Sequence, residues 1–162
     1  MDEAAVIRYV TETFPGVNAL EASGDTYFIY DPERDLPPKY QQPFVTLVTG
    51  DRHDQVSDLE RPGVFRLNVG VSKETYRGLL GELPGPPGER GVVETGHDFT
   101  VLDQVLPHPV YAPQSWICVL SPSEATFERM KPWLAEAYGI AVRRVEKRAD
   151  AANGSAAQSL ES

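Results

Sequence analysis

The sequence predicts an α+β domain, an antiparallel sheet with helices packed on one face, and three observations lead there. Short β-prone runs follow one another through brief polar links, as antiparallel strands do. Helical periodicity appears at both ends of the chain and once between strands. The best-defined run, Gly63 to Val71, alternates Phe65, Leu67, Val69 and Val71 against Val64, Arg66, Asn68 and Gly70. One of its faces is apolar and the other partly polar. The order reads α, β-hairpin, β, β, α, β, α, with the helices gathered on one side of the sheet.

Asp2 to Phe14 forms the first helix, because Val6, Val10 and Phe14 recur every fourth residue and Pro15-Gly16 stops it. "VNALEAS" and "TYFIYD" flank Gly24-Asp25 and read as a hairpin. "PERDLPPKYQQP" is a loop, Phe44 to Gly50 a strand, and the acidic "DRHDQVSDLERP" an exposed connection. Ser72 caps a short helix carrying Tyr76, Leu79 and Leu80, with Gly81 as its stop. "ELPGPPGERG" holds too much Pro and Gly for regular structure. A short strand is expected near Phe99 to Leu102. "SWICVL" is apolar on both faces and reads as a central strand. It runs into "SPSE", where Ser121 is placed as the cap of a final helix, Pro122 as its first residue and Glu124 as the capping-box acid. That helix buries Phe127, Met130, Leu134, Ala137 and Tyr138, with Pro132 inside it. Residues 1–148 make one domain, and 149–162, nearly free of large apolar side chains, a disordered tail.

A chain of 162 residues suits one domain and buries roughly 68–70% of its unfolded surface without staples. Cys118 is the single cysteine, so no internal disulfide forms, which fits a reducing compartment. "MDEAAVIRYV" carries acids where a signal peptide needs bases, and no run approaches the ~20 apolar residues of a membrane span. The expectation is a soluble cytoplasmic protein. Fifteen Lys and Arg against 24 Asp and Glu give a net charge of −9. Such a chain is repelled by nucleic acid unless its bases cluster. The one basic cluster, "VRRVEKR", suits a helix C-terminus.

Three segments resemble the MmcQ/YjbR-like proteins: a first helix ending in "FPGV" before a hairpin, "GVFRLNVGVSKETYRGLL", and "QSWICVLSPSEATFERMKPWLAEAY". They span about residues 1 to 147. The chain also resembles a group of uncharacterised bacterial proteins of similar length, through "RPGVFR" and "PHPVY". The resemblance implies a CyaY-like or secretion-chaperone-like α+β layout. It also carries a proposed double-wing DNA-binding role, which here would fall on Arg143, Arg144, Lys147 and Arg148. It implies no catalytic residues.

The chain shows no phosphate-binding glycine loop, no nucleophile elbow and no zinc-protease helix. Cys118, between Ile117 and Val119, reads as a core thiol. His53, His97 and His108 lack metal-ligand spacing, so no metal and no cofactor are expected. His108 is flanked by Pro107 and Pro109, and its ring is expected to fasten the loop by bonding a backbone group. Arg66, on the polar strand face, needs a carboxylate partner or a bound anion. An open face would let Arg66, Asn68, His108 and Trp116 line a pocket for a small polar ligand. The reading that follows is a non-catalytic binding or interaction module, monomer or homodimer, with a small ligand or protein partner ahead of nucleic acid. The alternatives are a nucleic-acid binder and a small-molecule enzyme using the His108/Arg66 face.

Overall fold

The computed structural model describes the backbone of residues 1–161 and the side chains of residues 1–153. It is an α+β fold with a six-stranded antiparallel sheet. Helix α1 is Glu3–Thr13, capped by Asp2, whose carboxylate accepts from the Ala5 N–H. Strands β1 (Val17–Ala22) and β2 (Asp25–Tyr30) form the hairpin. Then come β3 (Val45–Val48), β4 (Arg66–Gly70), α2 (Lys73–Leu80), β5 (Leu106–Pro107), β6 (Trp116–Leu120) and α3 (Glu124–Glu161). The sheet order is β1-β2-β3-β4-β6-β5. The tail expected to be disordered, 149–162, lies mostly outside the residues whose side chains are described.

Alternation on β4 divides the molecule as the sequence predicts. Phe65, Leu67, Val69 and Val71 join Val6 and Val10 of α1, Tyr76 of α2, and Phe127, Met130, Leu134, Ala137 and Ala141 of α3 in the main core. Each large side chain of the α3 stripe contributes about 1.5–3 kcal/mol on burial. Phe14 stacks on Tyr138, with ring centroids 4.8 Å apart, and joins the two terminal helices. Glu136 joins α3 to α2. Its carboxylate accepts from the Ser72 N–H at 2.6 Å and the Thr75 hydroxyl at 2.7 Å. Burial would raise the Glu136 carboxyl, and these donors outweigh it and hold it below its ordinary value.

Among the described residues, the opposite face carries no helix core. Val48, Leu59, Leu106, Cys118 and Leu120 form a small second cluster there, roofed by loops. Leu59 and the fully buried Ser57 belong to "DRHDQVSDLERP", so this segment is not the exposed connection that its polarity implied. Arg61 binds it down by donating to the carbonyls of Ser57 and Thr100, both at 2.9 Å.

Three local expectations shift. The hairpin turn is Ser23-Gly24, both at positive φ (55° and 86°), because Ala22 pairs with Asp25 across a two-residue loop. Asp25 is thereby a buried strand residue. The cap of α3 is Ser123, not Ser121. Ser123 Oγ accepts from the Thr126 N–H at 3.2 Å, while the Ser121 hydroxyl oxygen accepts from the Phe65 N–H of the neighbouring strand segment. Finally, Leu102 makes only an isolated bridge to Leu120, and the extra edge strand is β5, inside "LPHP".

Cys118 sits in mid-strand with no exposed surface, and burial pushes its thiol up to about 12. A thiol reagent should therefore leave the native protein unlabelled over the time in which the protein in denaturant reacts fully. Comparable rates in the two states, read by intact mass, would contradict this packing.

Candidate functional site

The loop face of the sheet has to accommodate a buried arginine. Arg66 is 1% exposed and points away from the main core. Its Nη2 and Nη1 donate to the two Asp54 carboxylate oxygens at 2.8 and 3.1 Å, a forked pairing. Nη1 also donates to Ser57 Oγ at 2.8 Å, and Nε to Asn68 Oδ1 at 3.1 Å. Asn68 passes the network on by donating from Nδ2 to Thr46 Oγ1 at 2.9 Å. Burial opposes both charges of the pair. Its hydrogen bonds win, holding Asp54 below the ordinary carboxylate range and Arg66 above its own ordinary value. The internal partner that Arg66 requires is thus Asp54, supplied by the loop just before β4.

This polar floor underlies a cavity of about 610 Å³. Arg66, Asn68, His108 and Trp116, which the sequence grouped, all line it. Sequence reasoning missed Tyr27, Thr46, His53, Asp54, Tyr111 and Arg144 in the same wall. One of these had a signal: Thr46 pairs directly with Asn68 across β3 and β4.

Trp116 enters the wall because β6 pairs it with Gly70. A Cβ at position 70 would meet the indole carbons Cε2 and Cζ2 at 3.0 Å, so the ring lies against bare backbone. His108 is held between β5 and a short 3-10 turn. Its Nδ1 accepts from the N–H groups of Val110 and Tyr111, both at 3.0 Å. An accepting nitrogen carries no proton, so the neutral ring keeps its proton on Nε2. Burial, reinforced by the nearby Arg66 charge, pushes His108 down to about 3. The ring packs edge-on to Trp116 with centroids 6.3 Å apart and tilts against Tyr111 at 5.0 Å. His108 therefore fastens the loop as expected, and presents an N–H donor rather than a base.

At the hairpin side, the buried Asp25 carboxylate accepts from the Thr49 N–H at 2.9 Å and Arg52 Nη2 at 2.9 Å, and lies 3.0 Å from His53 Nε2. The Tyr27 hydroxyl is 3.2 Å from the same nitrogen. Burial first, and the Asp25 charge second, raise the Tyr27 phenol above its ordinary value. His97 is elsewhere, against Thr95 Oγ1. Among the described residues no group of three or more His, Cys, Asp or Glu is placed to hold a metal ion. Of the basic cluster on α3, Arg143, Arg144 and Lys147 are exposed. Arg144 reaches the cavity, and Arg148 is half-buried with its guanidinium 4.3 Å from the Tyr40 ring centroid. No helix among the described residues is long and apolar enough to cross a membrane.

The model of a family of unknown function, DUF6194, matches residues 1–150, and the chain belongs to that family. No curated protein and no solved structure matches the chain significantly.

Two measurements check the electrostatics of the site. Arg66→Met strands the Asp54 charge and should cost about 3–5 kcal/mol in urea unfolding, with part of the loss recovered in Arg66→Met/Asp54→Leu. Equal losses in single and double variants would remove the pairing argument. For His108, the folded pKa lies below the unfolded value of 6.5, so the unfolded chain binds more protons in that interval. The histidine's contribution is complete above pH 6.5 and is lost as pH falls toward the folded value. His108→Asn keeps a side-chain acceptor for the loop and removes the titration. Below pH 6, wild-type stability should fall more steeply than that of the variant, by up to about 1.4 kcal/mol per pH unit. Parallel profiles would show that the ring is not held neutral.

Proposed function

We propose that this DUF6194 protein is a non-catalytic binding module whose ligand is a small molecule held on the loop face of the sheet. One observation carries the reading. The cavity has a polar floor whose hydrogen bonds are already made, from Arg66 through Asp54, Ser57 and Asn68 to Thr46. Its walls include the aromatic residues Tyr27, Trp116 and Tyr111. A volume of about 610 Å³ falls within the range of small-ligand sites, which pair apolar walls with a few placed polar groups.

The same groups argue against catalysis. A general base works best with a pKa near the operating pH. His108, at about 3 and with Nδ1 committed to the loop, is far from that. Arg66 and Asp54 neutralise each other. Against a nucleic-acid role, the chain carries a net charge of −9, and Arg148 of the α3 cluster is occupied by the Tyr40 ring. The resemblance to MmcQ/YjbR-like proteins supports an interaction module, and the lone buried thiol supports a cytoplasmic setting.

The test is a set of small planar fragments at millimolar concentration, followed by NMR on the indole N–H of Trp116 and the ring of His108. Shifts clustered on these two residues, and lost in Gly70→Val, where the new side chain displaces the indole, are the expected result. Perturbations scattered over the surface, or none at Trp116, would overturn the reading.

A further inference from the structure

Beside the side-chain amides of Gln42 and Gln114, the cavity is lined by a donor and a cation, His108 and Arg144. The Asp54 carboxylate is consumed by Arg66, and their charges cancel. The His108 ring lines the cavity with Nδ1 committed to the loop, which leaves its Nε2–H as the group that can meet a ligand. Arg144 lines it too, and none of the ion pairs among the described residues includes Arg144 or Arg148. Arg148 follows Arg144 by one helical turn, so the two side chains share a face of α3. Its Nη1 is buried and makes no hydrogen bond, an unusual state for a guanidinium nitrogen. Stacking on Tyr40 orients that guanidinium without neutralising it. Tyr40 is followed closely by Gln42 and Pro43, which belong to the cavity wall. In a chain of net charge −9, an arginine pair without a carboxylate has an acceptor to gain. Partial dehydration, with the Arg148 charge adding to it, holds Arg144 below the ordinary arginine value, a strain that a bound anion would relieve.

We infer that the ligand of this cavity is a planar molecule bearing a carboxylate or phosphate group, its anion at Arg144 and Arg148 and its ring against Trp116. In that pose His108 Nε2–H donates to an acceptor on the ring system. The inference rests on the small-molecule reading and narrows it to one charge class.

Three probes of matched shape test it on the full chain: 2-naphthoate, 2-naphthyl phosphate and 2-naphthamide. Binding is measured by calorimetry and located by the Trp116 indole N–H. At least one anionic probe should bind about tenfold or more tightly than the amide, the size of a charge-assisted hydrogen bond. The stronger of the two anions identifies the group. In Arg144→Gln/Arg148→Gln, whose residues lie outside the helix core, this preference should vanish while amide affinity stays unchanged. Equal affinity for all three probes at Trp116 would overturn the anion inference and leave the small-molecule reading standing. A preference that survives the double substitution would also overturn it. If no probe perturbs Trp116, both fall.

Discussion

The guanidinium of Arg66 is buried on a β-strand and has to be neutralised there, and the architecture of the loop face follows from that requirement. Asp54 must come to it, so the segment between β3 and β4 folds back over the sheet instead of looping into solvent. In doing so it brings Ser57 to the guanidinium and Leu59 to the second apolar cluster. Asp25 and Arg61 hold the returning segment at its two ends, through Arg52 and through the carbonyls of Ser57 and Thr100. A buried pair of this kind adds little net stability over a well-packed apolar substitute. What it adds is position. The loop has one place where its carboxylate is satisfied, and the cavity is the space left above that place.

The two faces of the sheet are therefore stabilised by different physics. On the helix side, burial of apolar surface dominates, and the stripe of α3 tolerates Pro132 because tertiary packing holds the helix on both sides of it. On the loop side, hydrogen bonds and one ion pair do the organising, in surroundings dry enough to strengthen each of them. His108 shows the result. Its loop takes the Nδ1 lone pair, burial keeps the ring neutral, and the remaining proton is aimed by default.

Most of the helix side was legible in the sequence, because it depends on periodicity. The alternation of Phe65 to Val71 and the spacing of Phe127, Met130 and Leu134 each admit one arrangement. The four residues Arg66, Asn68, His108 and Trp116 were also legible as a group, from a polar strand face and a proline-braced loop. The rest was hidden for identifiable reasons. Whether a polar loop is solvated or folded inward depends on a partner distant in space, and Asp54 looks like any surface acid until Arg66 is placed. The cap of α3 was misread because "SPS" offers two serines, and the neighbouring Phe65 N–H, not local preference, claims the first. Arg144 and Arg148 looked like a helix terminus because that helix was expected to stop near them, and α3 runs on to Glu161.

One feature of β4 sets the position of one cavity wall. The indole of Trp116 rests where a side chain at position 70 would otherwise stand, and the nearest carbons are 3.0 Å from that vacant Cβ position. The residue without a side chain thus acts as a spacer of minimum thickness beneath the aromatic wall. Replacing it by alanine would lift the ring by a few tenths of an ångström, and by a larger residue further, narrowing the slot without altering a single polar group. For the ligand proposed above, thickness and charge are consequently assigned to separate parts of the molecule, the first to one hydrogen atom on a strand, the second to two arginines on a helix.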